Sequence, residues 1–314
     1  MIELAEIERA REVISGIALR TPLVRLEVEA DAEIWLKLET LQPVNSFKVR
    51  GAGNAVLQAS DEELRDGVLT ASAGNMAQGV AYAARLRGVP ATIVVPEHAP
   101  ETKLAAIERL GGRVIKVPYD EWWNVLVTGG YEGASGLFVH PVDDVRVMAG
   151  NGTIGLELLE QSPGFDAVVV PYGGGGLLTG IASAVKASRP EVRFYAAEPE
   201  TAAAVTASLA AGKPTEVEYV PSFVDGSGSH ALIPGVWAHA EGLLEGAFAL
   251  PLVEVADAVR TLAERVRVIA EGAGALSVAA ALSGRVDARK IVCVVSGGNI
   301  DFAVLTRILR GEPL

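Results

Sequence analysis

Thiols are nearly absent from this chain: Cys293 is the single cysteine in 314 residues. An intramolecular disulfide is therefore excluded, which fits a reducing compartment. The residue lies in the apolar run Ile291-Val292-Cys293-Val294-Val295, where an inert core thiol is expected rather than a nucleophile. Histidine is also scarce. His98, His140, His230 and His239 show neither metal-ligand spacing nor a serine or cysteine partner in a triad context, which sets aside metal-hydrolase and triad chemistry. Positive charge is in deficit, with 27 Lys and Arg against 39 Asp and Glu and a net charge of −12, so nucleic acid and anionic membrane surfaces are poor partners. No apolar run is long enough to cross a bilayer. The acidic start Met1-Ile2-Glu3-Leu4-Ala5-Glu6 reads as an amphipathic helix and not as a signal peptide. A soluble, cytoplasmic protein is the expectation. The chain also lacks internal repeats, low-complexity tracts and long linkers.

What the chain does have is apolar residue, 50% of the total, enough for one large or two ordinary domains. Strands are predicted at 34–38, 68–71, 91–95, 113–117, 137–139, 167–170, 193–197 and 291–295. Helices are predicted at 5–15, 48–59, 76–86, 100–110, 122–132, around 154–160, and at 177–187, 202–210, 255–270 and 273–282. Residues 220–235 read as a Gly/Ser-rich loop. Strands alternate with helices, and many strands are continuous apolar runs, the pattern of parallel sheets covered on both faces. A two-domain α/β chain follows, its domains joined by chain crossings.

Ligands of open α/β sheets bind beyond the C-terminal strand ends, and four unusual segments fall there. Asn45-Ser46-Phe47-Lys48-Val49-Arg50-Gly51-Ala52 puts a lysine at a strand-to-helix junction. Such a lysine is often only a solvated charge; a reactive one needs an anionic partner group and a way to lose its proton. Gly173-Gly174-Gly175-Gly176 follows a buried strand and opens a helix. A plain turn needs one or two glycines, whereas four let backbone N–H groups close on a phosphate. No Lys-Ser/Thr follows, so a P-loop is excluded, and Thr179 stands where the third dinucleotide glycine would fall. Ser72-Ala73-Gly74-Asn75-Met76 suits a carboxylate, or is simply a capped helix start. Ser296-Gly297-Gly298-Asn299 offers a hydroxyl that faces a ligand or caps a helix. Asp143 and Asp144 read as a solvated pair at a helix start.

Taken together, these segments resemble the fold type II pyridoxal-phosphate (PLP) enzymes, the tryptophan synthase β-like fold, in the threonine/serine dehydratase and serine racemase branch. The matching residues run along the whole chain: Arg20-Thr21-Pro22-Leu23, Lys37-Leu38-Glu39, Ser46 to Ala52, Ser72 to Asn75, Ala149 to Thr153, Gly173 to Leu177, Glu198, Asp225-Gly226, Ala270 to Ala275, and Ser296 to Asn299. The resemblance implies a large PLP-binding domain of residues 1–52 and 144–314 and a small substrate-loop domain of 53–143. It makes Lys48 the Schiff-base lysine and the base for the substrate α-proton. It places the cofactor phosphate on Gly173, Gly174, Gly175, Gly176 and Leu177, Phe47 beside the ring, Asn75 at the ring hydroxyl and Ser296 at the pyridine nitrogen. The substrate would lie on Ser72, Gly74, Asn75, Met76 and Ser229. Glu198 would help hold a monovalent or divalent cation, if one binds. A homodimer is implied as well.

The implied reaction is β-elimination of water from a β-hydroxy α-amino acid such as L-threonine or L-serine, giving a 2-oxo acid and ammonia. A hydroxyl partner leaves the pyridine largely unprotonated, a weaker electron sink that favours expulsion of a β-leaving group. Several residues depart from the family pattern. Ala73 replaces the serine that racemases use as a second acid/base. Met76 stands where many dehydratases have histidine, which points to a bulkier β-hydroxy amino acid as an alternative substrate. Asn45 replaces a common glycine, and Ala204 lacks the acid of divalent-binding members. The chain ends soon after Asn299, so a C-terminal regulatory domain is not expected. A racemase of the same fold, a β-replacement enzyme and a non-catalytic binding protein are the competing readings. The threonines of β-replacement enzymes are absent, and binding alone needs no Schiff-base lysine.

Overall fold

The computed structural model describes residues 1–162 and 164–314. Its strands are β1 (Leu23–Leu26), β2 (Glu33–Leu38), β3 (Val68–Ala71), β4 (Ala91–Pro96), β5 (Gly112–Val117), β6 (Leu137–Phe138), β7 (Ala167–Pro171), β8 (Arg193–Pro199), β9 (Gly246–Leu250) and β10 (Lys290–Val295). The helices are α1 (Leu4–Ile14), α2 (Lys48–Leu57), α3 (Asn75–Arg87), α4 (Glu101–Arg109), α5 (Tyr119–Thr128), α6 (Val145–Gln161), α7 (Gly176–Ser188), α8 (Ala204–Ala211), α9 (Pro234–Ala240), α10 (Leu252–Thr261), α11 (Gly272–Leu282) and α12 (Phe302–Arg310).

Two sheets form. One has the order β1-β2-β10-β7-β8-β9 and the other β5-β4-β3-β6. Among the described residues every pairing of these strands is parallel except β1 with β2. The apolar runs explain the burial on both faces. Side chains alternate across a strand, so Ala167 and Val169 enter one core while Val168 and Val170 enter another. In β10, Ile291, Cys293 and Val295 join the first core, and Val292 and Val294 the second. The smaller sheet does the same, with Ile93 and Val95 on one side and Val94 on the other. The Cys293 thiol is fully buried and donates to the Ser277 carbonyl at 3.3 Å; burial pushes its pKa up, as suits an inert core residue.

Some predicted elements differ. The helix expected over 122–132 runs from Tyr119 to Thr128, because Pro118 can precede its first turn and Gly129 ends it at φ 71°. The helix expected to reach residue 270 stops earlier: α10 ends at Thr261, a π turn covers Leu262–Val266, and Arg267 turns left-handed at φ 62°. Strands β1 and β9 and helices α9 and α12 were not predicted. The first two are short edge strands with half-buried residues, which give no continuous apolar run. No described helix is long and apolar enough to cross a membrane.

Candidate active site

Strands β2, β10 and β7 are parallel neighbours, so the segments that follow them leave the sheet on one side. This adjacency assembles the site. The chain after β2 leads to Lys48, β10 ends at Ser296, and β7 feeds the four glycines. Phe47, Lys48, Gly173, Gly174, Gly175, Gly176, Leu177 and Ser296 line one cleft, together with Val142, Pro171, Gly226 and Ser227.

Lys48 opens α2. The turn before it is tied to the end of β10 by the Phe47 N–H, which donates to the Ser296 carbonyl at 2.9 Å, and by a bridge between Ser46 and Gly297. The Lys48 ammonium lies 5.1 Å from the Phe47 ring centroid and donates to the Pro141 carbonyl at 3.0 Å. Burial pushes its pKa down to about 8, against the opposing pull of Glu271. An amine of that acidity can present its neutral, nucleophilic form near physiological pH.

Helix α7 begins at Gly176 with Gly175 before it at φ 93° and no side-chain cap. Its first N–H groups are therefore available to an anion, favoured there by the helix dipole. The middle of the loop has no space for side chains: a Cβ on Gly174 would fall 2.5 Å from Val142 Cγ1, and one on Gly175 would fall 2.4 Å from the Tyr172 hydroxyl. Ser227 closes the loop from the far side by donating to the Tyr172 carbonyl at 2.7 Å.

Asn75 starts α3 of the smaller sheet. It donates to Glu271 Oε1 at 2.7 Å and accepts from Asn299 Nδ2 at 2.7 Å, so it bridges to segments of the larger sheet. Burial pushes the Glu271 carboxyl up to about 7, with Asp225 adding to the shift. Ser72 Oγ accepts from the Gly74 N–H at 3.2 Å, the bond of a helix-opening turn.

Ser72, Gly74 and Asn75 thus stand outside the cleft lining, and so do three further predicted residues, Met76, Ser229 and Glu198. Met76 is 2% exposed and packs with Ala52, Val80 and Val147 in the core of the smaller sheet. Ser229 lies against residues 202–203, where its N–H donates to the Ala202 carbonyl at 3.2 Å and its hydroxyl is buried without a partner. Glu198 is fully buried and accepts from the Val205 N–H (3.1 Å), the Thr206 N–H (2.9 Å) and the Thr206 hydroxyl (3.1 Å), which caps α8. Burial still pushes its pKa up to about 7. Asp144 caps α6 through the N–H groups of Arg146 and Val147, as a helix-start aspartate should.

Sequence reasoning assigns no roles to His140, Pro141, Val142, Ser227 or Glu271. For Glu271 a signal exists, since it stands inside the quoted Ala270–Ala275 segment. His140 holds its turn by accepting at Nδ1 from the Val142 (3.1 Å) and Asp143 (2.7 Å) N–H groups. A groove of about 580 Å³ lies elsewhere, lined by Asp166, Arg193 and Asp287 among others. Its charges serve one another, as in the 3.1 Å Arg193–Asp287 pair and the Asp166 cap on Arg289 and Lys290.

The pattern of the pyridoxal-phosphate dependent enzyme family matches residues 14–297 of this sequence. The chain belongs to this family. Its cleft residues fit the cofactor: a depressed lysine amine, an uncapped helix start lined by glycine, and a serine at the end of a neighbouring strand. The L-threonine ammonia-lyase of Thermotoga maritima is 40% identical over 316 residues, covering 99% of this chain and 79% of that protein. The catabolic L-threonine dehydratase of Staphylococcus aureus is 37% identical over 320 residues, with coverage of 98% and 91%. Among solved structures, maize serine racemase superposes with a TM-score of 0.89 at 33% identity, covering 99% of this chain and 97% of its own. The threonine deaminase of T.th. has a TM-score of 0.87 at 35% identity, with coverage of 96% and 99%. The PLP enzyme fold thus extends over essentially the whole chain, and the expected α/β class of fold type II holds.

Proposed function

We propose that this PLP enzyme is an ammonia-lyase that removes water from a β-hydroxy α-amino acid, L-threonine or L-serine, and releases a 2-oxo acid and ammonia. The observation that carries the reading is the meeting of Lys48, the Gly173–Gly176 loop and Ser296 in one cleft. The threonine ammonia-lyases and dehydratases among its relatives support the same reaction.

When bound, PLP supplies a carbonyl that condenses with amines and a ring that accepts electron density from the substrate α-carbon. Lys48 would hold it by its amine and, once free, take the α-proton. The N–H groups of Gly176 and Leu177 would hold the phosphate, and the Cβ-free loop lets the backbone come close. Ser296 would offer the ring nitrogen a hydroxyl instead of a carboxylate. Phe47 would pack on the ring, and Asn75 would reach its hydroxyl. Ser72, Gly74 and Asn75 form the half-buried turn that would take the substrate carboxylate. Met76 and Ser229 belong to this proposal as residues behind that turn and beside the 202–203 segment. Glu198 with the Ala202 carbonyl would be the place for a cation. Residues 53–143 would be the small domain and 1–52 with 144–314 the large one, working as a cytoplasmic homodimer.

The racemase reading draws on the serine racemase likeness. Against it, position 73 carries alanine, where the resemblance places the serine that racemases use as a second acid/base.

The test is a panel of L- and D-threonine, L- and D-serine and bulkier β-hydroxy amino acids on PLP-loaded protein, with 2-oxo acid and ammonia both followed. Equal release of both from L-threonine or L-serine is expected. Inverted amino acid without 2-oxo acid, or no turnover of any member, would overturn the reading. Release only from a bulkier member would keep the chemistry and change the substrate.

A further inference from the structure

Asn75 sits in a clamp whose polarity is fixed on both sides. Its Nδ2 donates to Glu271 Oε1 and its Oδ1 accepts from Asn299 Nδ2, each at 2.7 Å. Rotating the amide by half a turn would set two donors against each other and two acceptors against each other. The partners are themselves held. Asn299 Nδ2 also donates to the Val44 carbonyl at 2.9 Å, and its Oδ1 accepts from Asn45 Nδ2 at 3.3 Å. Glu271 is 7% exposed, its backbone N–H donates to the Gly297 carbonyl at 3.0 Å, and a Cβ on Gly297 would lie 2.4 Å from its Oε1. The clamp therefore abuts the residue next to Ser296. That same Cβ would lie 3.2 Å from Asn75 Nδ2, so the amide nitrogen stands beside the residue that follows the cleft-lining Ser296.

An Asn amide nitrogen carries two hydrogens, and Glu271 takes one. We infer that Glu271 and Asn299 are positioning residues that lock the Asn75 amide so that its second Nδ2–H, and not its carbonyl, is offered to an acceptor in the cleft, namely the ionised ring oxygen of a 3-hydroxypyridine cofactor. The inference rests on the proposed placement of PLP and assigns a task to two residues beyond it. Locking is needed because a free amide presents N–H and C=O with similar ease. An acceptor facing the carbonyl would be repelled. The clamp also spans the two sheets, since Asn75 opens a helix of the smaller one, Asn299 follows β10 of the larger and Glu271 precedes α11, which packs on it.

The test is a double-mutant cycle read as the PLP dissociation constant and the position of the bound-cofactor absorbance band, using wild type, Asn75→Ala, Asn299→Ala and the double variant. About a tenfold loss of PLP affinity is expected for each single variant. In the Asn75→Ala background, Asn299→Ala should cost little more, since Asn299 acts only through that amide. Additive losses, or no loss in Asn299→Ala, would overturn the inference. Should Asn299→Ala prove poorly folded, the Glu271 pair decides. Glu271→Gln keeps an acceptor oxygen and should bind PLP within about threefold of wild type, whereas Glu271→Ala should lose about tenfold. Equal affinity in the two would equally overturn it. Failure of the wild type to bind PLP would instead count against the proposed function itself, so the two failures are distinguishable.

Discussion

Arg50 and Glu39 are joined by two parallel hydrogen bonds, Nε to Oε2 at 2.8 Å and Nη2 to Oε1 at 2.9 Å, with both side chains shut away from water. Arg50 also reaches Glu157 Oε1 at 2.7 Å and the Thr153 hydroxyl at 3.0 Å. Lys37 completes the group through Glu157, the Thr21 carbonyl (2.7 Å) and Gln161 (2.8 Å). Two cations thus balance two anions. Burial would raise the Glu39 carboxyl, but Arg50, Lys37 and the Thr21 hydroxyl together outweigh it and hold the group below its ordinary value. Burial lowers the Lys37 ammonium, against the pull of Glu157. The quartet pins α2 to β2 and α6, two residues beyond Lys48.

Removing one member should therefore be costly. Arg50→Met leaves Glu39 and Glu157 with one buried cation between them. A loss of about 3–5 kcal/mol of stability is expected, measured by denaturant unfolding of the cofactor-free protein. A loss below about 1 kcal/mol would show the charges to be solvated by water.

Lys48 gives a pH signature. At pH 7 an amine of pKa about 8 is roughly one-tenth neutral, far more than an ordinary lysine. The rate of PLP loading onto cofactor-free protein should rise about tenfold per pH unit up to about 8 and then level off. A rise continuing beyond pH 10 would contradict the shift. Lys48→Ala should lose the bound-cofactor absorbance band and lower turnover by about a thousandfold or more.

Gly175 is the loop residue that tolerates least. Its φ of 93° disfavours any side chain, and a Cβ there would meet the Tyr172 hydroxyl at 2.4 Å. Gly175→Ala should weaken PLP binding by about tenfold or more and lower stability by about 1–2 kcal/mol. Equilibrium titration with PLP and a melting curve separate the two effects.

Glu271 should imprint on the pH dependence of folding. Its folded pKa of about 7 lies above the unfolded value, so the folded state holds a proton that the unfolded chain gives up. Its contribution is fully present below the unfolded carboxylate pKa and is lost as pH rises through about 7. Wild type should therefore lose stability relative to Glu271→Gln between about pH 4.5 and 7. Parallel curves for the two proteins would refute this.

Ala73→Ser should raise racemisation relative to elimination, because it places a hydroxyl in the turn beside Ser72 and Gly74. Chiral analysis of unreacted serine is the measurement, and an unchanged ratio would remove Ala73 as the limiting residue.

Local residue pattern was enough to establish the parallel α/β class, since continuous apolar strands must be covered on both faces, as β7 and β10 are. It also marked which segments could carry chemistry, because Lys48, the four glycines and Ser296 stand at strand ends where local residue type signals an unusual task. Elements with weak local signal escaped it, such as β9, whose first four residues are only half-buried, and the left-handed stop at Arg267. Long-range packing settled that β10 lies between β2 and β7, which puts Ser296 beside both Lys48 and the glycine loop. It brought Glu271 to Asn75 across 196 residues of chain, put Met76 into a core and set Glu198 at the start of α8. The reason is physical: hydrophobic periodicity reports that a side chain is buried, but not which strand or helix buries it. Partners distant in sequence are fixed by strand order and by the pairing of polar groups that burial deprives of water.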